Sequence, residues 1–312
     1  MNPSLGDAKV DKLLSNFSQK YVNKSLIHEM ILPPMKVKEK TGKYAKYGTE
    51  NLRIYADQIL RAPGTRAMNA DYSVSQGSYT CQERSLEKLI PDEMLNNTDD
   101  PYDPRRDAVA TIMDNIGLNQ EYTLATAMAN ISVLTNNETL SGTDQWNDDT
   151  SDPLTKIDNW IDAMRLATAT VPNTIVMSHK VMLTLKRHPL VREALKYTGA
   201  MGNVGTPAFI QFLKDRFSVD NVYIGTAVYD SADAGQTASI GDVWGKHFWL
   251  LYNNPRPTLM QATFGYTFYD VMNIVEKYRE EPKVSDVARV RRSFDQNIMD
   301  ANLAYFGRNV IA

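Results

Sequence analysis

From Lys36 to Glu83 the chain carries few large aliphatic side chains, and this stretch limits most what the whole can fold into. Its apolar positions, among them Tyr44, Tyr47, Leu52, Ile54, Tyr72, Val74 and Tyr79, alternate with polar residues, Gly and Ser. That alternation predicts a long two-stranded loop facing mostly solvent. An isolated hairpin of this kind buries too little surface to offset the entropy of ordering it. The stretch is therefore expected to lean on something outside the subunit, with a disordered loop as the alternative of similar composition.

The same region is locally basic. Between Lys36 and Arg66 there are eight cations against three anions, whereas the whole chain has a net charge of −3 and a pI near 5.9. An acidic chain lacks the excess that drives non-specific nucleic-acid binding, so any contact with DNA is expected to be local. The interleaved tyrosines suit either stacking on bases or strand pairing. A complementary acidic run, with Asp144, Asp148, Asp149, Asp152, Asp158 and Asp162 against the single Lys156, lies further on. Two such patches would give a self-assembling subunit electrostatic register with its neighbours. The candidate inter-subunit contacts are Lys43, Tyr44, Lys46, Tyr47, Arg53, Arg61 and Arg66 on the basic side, with Asp148 and Asp149 on the acidic side.

The length of 312 residues admits one elaborated domain or two connected ones. Scattered apolar residues before Pro33-Pro34 read as an arm of short helices. Asp103-Pro104 supplies a cap followed by proline at the first helical position. Val109, Ile112, Met113, Ile116, Leu124 and Met128 then recur at helical spacing, predicting one long helix to about Asn130 with Gly117 as a candidate bend. Asp152-Pro153 repeats the device before a second helix, and Thr206-Pro207 is read as a third such cap. Asn173–Met177 is a short buried strand followed by two helices, and strand signals from Val219 onward make the last third β-rich.

Chemistry is sparse. The four histidines, His28, His179, His188 and His247, stand far apart, and His28-Glu29 lacks the second histidine of a zinc helix. Cap or surface roles are expected for His179 and His188. The single Cys81 excludes an internal disulfide and any multi-cysteine metal site. No G-x-S-x-G elbow occurs, and Gly199, Gly202 and Gly205 match neither the P-loop nor the dinucleotide fingerprint. The acidic run fails the EF-hand spacing. No cofactor, metal or catalytic residue is expected, no secretory leader is expected from Met1–Lys20, and no apolar run approaches membrane-spanning length.

Three stretches carry a family resemblance: TENLRIYADQILRAPGTRAMNADYSVSQGSYTCQERSLEKLIPDEM (Thr49 to Met94), SDPLTKIDNWIDAM (Ser151 to Met164), and MSHKVMLTLKRHPLVREALKY with TPAFIQFLKDRFSVDNVYIGTAVY. In that order, along nearly the whole chain, the sequence resembles the major capsid proteins of tailed bacteriophages. The resemblance implies an α+β fold of the HK97 type. Residues 1–40 would be the N-terminal arm and 41–90 the E-loop, an extended β-hairpin. Residues 91–150 with 270–312 would form the peripheral domain with its long spine helix, and 151–269 the mixed α/β axial domain.

By the same resemblance the subunit would assemble with itself into hexamers and pentamers of an icosahedral head. That head forms in the host bacterial cytoplasm around double-stranded DNA, contacted non-specifically. A portal protein and a scaffolding protein would be its partners, a decoration protein is a further candidate, and no membrane is involved. The lysine–asparagine cross-link of some relatives is not carried over, because no motif here selects its residues. Two rivals stay open: an encapsulin, which shares the fold and encloses cargo enzymes, and a monomeric hydrolase or ligand-binding enzyme with the 199–205 loop as lid.

Overall fold

A computed structural model describes residues 9–10, 14–15, 25–47, 60–61, 63–67, 74–96, 103–197, 205–232, 235–254 and 263–312. The start of the arm, Leu52, Arg53, Ile54, Tyr72, and the glycines Gly199 and Gly202 lie outside the described residues. The strands are β1 (Lys9–Val10), β2 (Pro34–Lys36), β3 (Thr41–Tyr47), β4 (Val74–Thr80), β5 (Gln82–Pro91), β6 (Asn137–Thr139), β7 (Thr174–Ser178), β8 (Asn221–Gly225), β9 (Val228–Asp230), β10 (Ile240–Asp242), β11 (Phe248–Leu251), β12 (Gly265–Glu280), β13 (Ser285–Ile298) and β14 (Ala304–Arg308). The helices are α1 (His28–Ile31), α2 (Asp92–Asn96), α3 (Pro104–Met128), α4 (Pro153–Thr168), α5 (His179–Arg187), α6 (Pro189–Tyr197) and α7 (Thr206–Phe217).

The spine is α3. Asp103 accepts the backbone N–H groups of Arg105 and Arg106 at 3.0 and 3.4 Å, and Pro104 occupies the first turn, where its missing donor costs nothing. The helix runs 25 residues, about 38 Å at 1.5 Å per residue. Gly117, the candidate bend, makes room for the arm: a Cβ there would sit 2.6 Å from Cδ1 of Leu26.

Two five-stranded sheets flank the spine. In the first, β12 and β13 form a long antiparallel pair, with β5 on the far side of β13 and β1 and β2 against β12. Ala108, Val109, Ile112, Met113 and Ile116 of α3 pack on Ile90, Val275, Ala288 and Val290 of this sheet. Gln82–Pro91, read as part of the loop, thus belongs to a sheet, and the two-stranded hairpin proper is β3 against β4, with Thr41 opposite Thr80 and Tyr47 opposite Val74.

The second sheet has the order β6-β14-β11-β7-β8 and is covered on both faces. Along β11, Phe248 and Leu250 enter a core with Trp160, Leu185, Phe209 and Leu213, while Trp249 and Leu251 enter another with Leu124, Met128, Phe264 and Phe306. The alternation of a strand sends neighbours to opposite faces, and burial on both sides explains the unbroken apolar run FWLL. Each such side chain contributes about 1.5–3 kcal/mol by leaving water. Ala304–Arg308 completes this second sheet, between β6 and β11.

Of the three cap-and-proline devices, two hold. Asp152 caps α4 through the N–H of Thr155 at 3.1 Å. At α7 the capping position is Gly205, with no side-chain bond, and Thr206 is already helical. A proline at the second helical position there leaves one fewer donor needing a side-chain cap.

Candidate assembly surfaces

The root of the β3–β4 hairpin is held by its own subunit. The rings of Tyr44 and Tyr79 both stack on Phe268 of β12, with centroids 5.6 and 4.5 Å away. The Tyr44 hydroxyl donates to Oδ1 of Asn297 at 2.8 Å, Asn297 Nδ2 donates to the carbonyl of Ser78 at 2.9 Å, and the N–H of Thr80 donates to Asp295 at 2.9 Å. Burial, then the Asp295 charge, pushes the Tyr44 hydroxyl above its ordinary pKa. Each tyrosine crosses a glycine on the opposite strand: Gly42 faces Tyr79 and Gly77 faces Tyr44, and a Cβ at either glycine would run into the ring. Cys81 is buried where the hairpin ends, its N–H donating to the carbonyl of Lys40 at 2.7 Å.

The root of the hairpin thus finds support inside its own subunit, where the sequence had pointed outside it. Aromatic area that looks unsupported in a polar hairpin is spent on a ring two hundred residues away in sequence, roughly, and only tertiary structure brings the two together. Lys43 projects from the face opposite Tyr44 and is exposed. Lys46 lies with its ammonium 5.8 Å from the Tyr44 ring centre. Tyr47 pairs with Val74 at the last described rung. Arg61 and Arg66 are exposed, and Arg53 lies outside the described residues.

The acidic run is used largely at home. Asp148 accepts both the N–H and the hydroxyl of Thr150, at 2.9 and 2.6 Å, and those bonds hold its carboxyl below the usual range. Asp158 forms an ion pair with Arg216 at 2.6 Å and Asp162 with Arg165 at 2.8 Å. Lys156 meets Glu138 at 2.7 Å, and the indole N–H of Trp160 donates to the same carboxylate at 2.6 Å. Asp144 and Asp149 are exposed. The structure therefore places Asp148 and Asp149 on one surface loop, and it does not bring either to the hairpin lysines of the same subunit.

His188 does cap α5, as expected, but it is buried, with Nε2 3.2 Å from both the Ser151 hydroxyl and the Asp148 carbonyl. His179 is exposed. Among the described residues there is no cluster of three or more His, Cys, Asp or Glu able to hold a metal ion, and no helix is long and apolar enough to cross a membrane.

Sequence reasoning missed Glu121. Its side chain is fully buried in the middle of α3 and accepts four donors: the backbone N–H groups of Ile27 and His28 at 2.9 and 2.8 Å, Nδ1 of His28 at 3.0 Å, and the indole of Trp244 at 2.6 Å. A buried carboxylate is tolerated only when so saturated, and breaking one member of such a set costs about 3–5 kcal/mol. Beside it Arg292, also buried, bonds to Gln120 and to Glu29, the latter at 2.7 Å. A signal existed: Gln120 and Glu121 fall between Ile116 and Leu124, where the helical period calls for apolar residues.

Comparison with known proteins gives a consistent result. The family model of phage major capsid protein E matches residues 116–242. The major capsid protein of Burkholderia phage BcepMu is 28% identical over 304 residues, spanning 95% of each chain. That of Pseudomonas phage JBD67 is 27% identical over 83% of this chain and 82% of its own. Among solved structures, a phage-related protein from Bordetella bronchiseptica is 24% identical, covers 97% of this chain and 98% of its own, and superposes with a TM-score of 0.76. The mature capsid of bacteriophage PhiM1 is 10% identical over 99% of this chain and 92% of its own, TM-score 0.57. An encapsulin complex from Synechococcus elongatus is 9% identical over 94% and 91%, TM-score 0.52. The resemblance read from the sequence is borne out, and the fold is the mixed α and β fold of HK97-like capsid proteins.

Proposed function

We propose that this chain, with phage major capsid proteins as its sequence relatives and their fold as its own, is the structural subunit of a phage head. The observation that carries the proposal is the likeness to the BcepMu protein over 95% of both chains, which leaves no sizeable part of either unaccounted for. The fold alone does not separate a phage head from an encapsulin, since a solved encapsulin shares it at 9% identity. Sequence likeness supports the phage head, because the curated relatives are phage major capsid proteins.

In this reading the subunit self-assembles into hexamers and pentamers of an icosahedral shell. The axial domain, 151–269, gathers subunits around symmetry axes, and the E-loop and arm reach neighbours. The root of the hairpin, Thr41–Tyr47 against Val74–Thr80, is fixed on Phe268. Basic contacts from Lys43, Lys46, Arg53, Arg61 and Arg66 meet acidic surface of an adjacent copy, with Asp149 the exposed member of the predicted pair. Portal, scaffolding and decoration proteins are the further partners, packaged DNA is contacted without sequence preference, assembly takes place in the host cytoplasm, and no catalysis is involved. A net charge of −3 suits a wall that must not grip its genome.

Sedimentation and negative-stain microscopy of the purified chain test this. Closed shells of uniform size are expected. A stable monomer at high concentration, forming no rings, tubes or shells, overturns the proposal.

A further inference from the structure

The root of the arm, residues 25–36, lies across both sheets and the spine. On the side of the second sheet, Thr226 donates its hydroxyl to the Ser25 carbonyl at 3.4 Å, and Asn253 Nδ2 donates to the carbonyls of Met30 and Ile31 at 3.3 and 2.7 Å. On the side of the first, Thr267 donates its hydroxyl to the Leu32 carbonyl at 3.2 Å and its N–H to the Pro33 carbonyl at 3.1 Å, Arg292 holds Glu29, and β2 pairs with β12. Ile27, Ile31 and Leu32 are buried in the core shared by α3 and the second sheet. Between the two sets of bonds stands Glu121, with three of its four donors coming from Ile27 and His28.

We propose that Glu121 is a positioning residue for assembly: it fastens the arm's root as a brace between the two sheets, and a subunit whose root is released folds without closing into shells. The physical reason lies in what the bonds join. Residues 33–40 lead directly from the brace into the hairpin, and Lys9 and Val10 pair with Lys277 and Glu276 of β12. One carboxylate therefore holds the point from which the hairpin departs. Backbone donors make the hold independent of side-chain identity at 27, and a charged acceptor binds them about twice as strongly as a neutral one. The inference rests on the shell-subunit reading and adds a requirement to it.

The test compares full-length wild type with Glu121→Ala and Trp244→Phe by hydrogen exchange and by shell yield in sedimentation and microscopy. Glu121→Ala is expected to speed exchange of the Ile27 and His28 amides by about tenfold or more, leave Thr174–Ser178 protected, and cut shell yield by a similar factor. Trp244→Phe removes a donor to the same carboxylate and much buried area but keeps the three arm bonds. It is expected to lower the melting temperature with shells still formed. Should Glu121→Ala fail to fold, Glu29→Gln weakens the partly exposed tie to Arg292 and is expected to give the same two effects at smaller size. Shells at wild-type yield from a variant with a released root overturn the inference, as do an unchanged root and equal shell loss in Trp244→Phe. If wild type itself forms no shells, the shell-subunit reading falls and takes this inference with it.

Discussion

His247 stands edge-on to Trp249 and Phe306, with ring centroids 5.7 and 5.3 Å away, and takes the N–H of Asn309 on Nδ1 at 3.2 Å. Burial, then the charge of Arg308, lowers its pKa from 6.5 to about 4. The folded state thus keeps the ring neutral while the unfolded state protonates near 6.5, so stability is lost as pH falls from about 6.5 to about 4, by on the order of 2 kcal/mol after allowing for partial exposure. Urea denaturation at pH 7.5, 5.5 and 4.5 should show that extra loss in wild type and not in His247→Gln. A parallel fall in both would reject the assignment. At Gly225 a Cβ would collide with the Trp244 ring, so Gly225→Ala is expected to cost about 1–3 kcal/mol by overpacking, seen as a lowered melting temperature. Neither environment is legible in sequence, because both are made by strands that meet only in the folded sheet. Glu121 was half legible, as a charge in an apolar period whose donors come from Ile27 and His28, more than 90 residues earlier, and from Trp244, 123 residues later.

At the level of elements, the helices were the legible part. Caps and prolines act within four residues of chain, so Asp103 and Asp152 announced α3 and α4 correctly. Asp103→Ala and Asp152→Ala should each lower stability by about 1 kcal/mol in denaturant titration, with m-values unchanged. A loss under a few tenths would show that water replaces the cap. The hairpin was legible as two strands but not in its support. Composition could report only that Tyr44 and Tyr79 lacked apolar company nearby, and Phe268 is remote in the chain. Nor did pattern show that Gln82–Pro91 leaves the hairpin for β13, since an exposed edge strand reads like a loop strand.

For the whole molecule, the order of segments proved more informative than any motif. Among the described residues a hairpin, the spine, a mixed middle and a β-rich last third follow one another, and sheet membership crosses those segments: β14 joins β6 and β11. Because the hairpin root is self-supported, the informative deletion is narrower than the whole loop. Removing residues 48–73 and joining Tyr47 to Val74 by an Asn-Gly turn should keep wild-type circular dichroism and thermal unfolding while abolishing shells. Normal assembly of that variant would refute the division of labour between hairpin and middle. The placement of β14 also bears on the timing of synthesis. It fills an interior slot between β6 and β11, strands translated long before it, so their sheet cannot close until residues 304–308 have left the ribosome. At roughly 5–20 residues per second, many seconds separate Ser178 from Ala304. During that interval the second sheet lacks an interior strand, and β6 and β11 have no strand to join them.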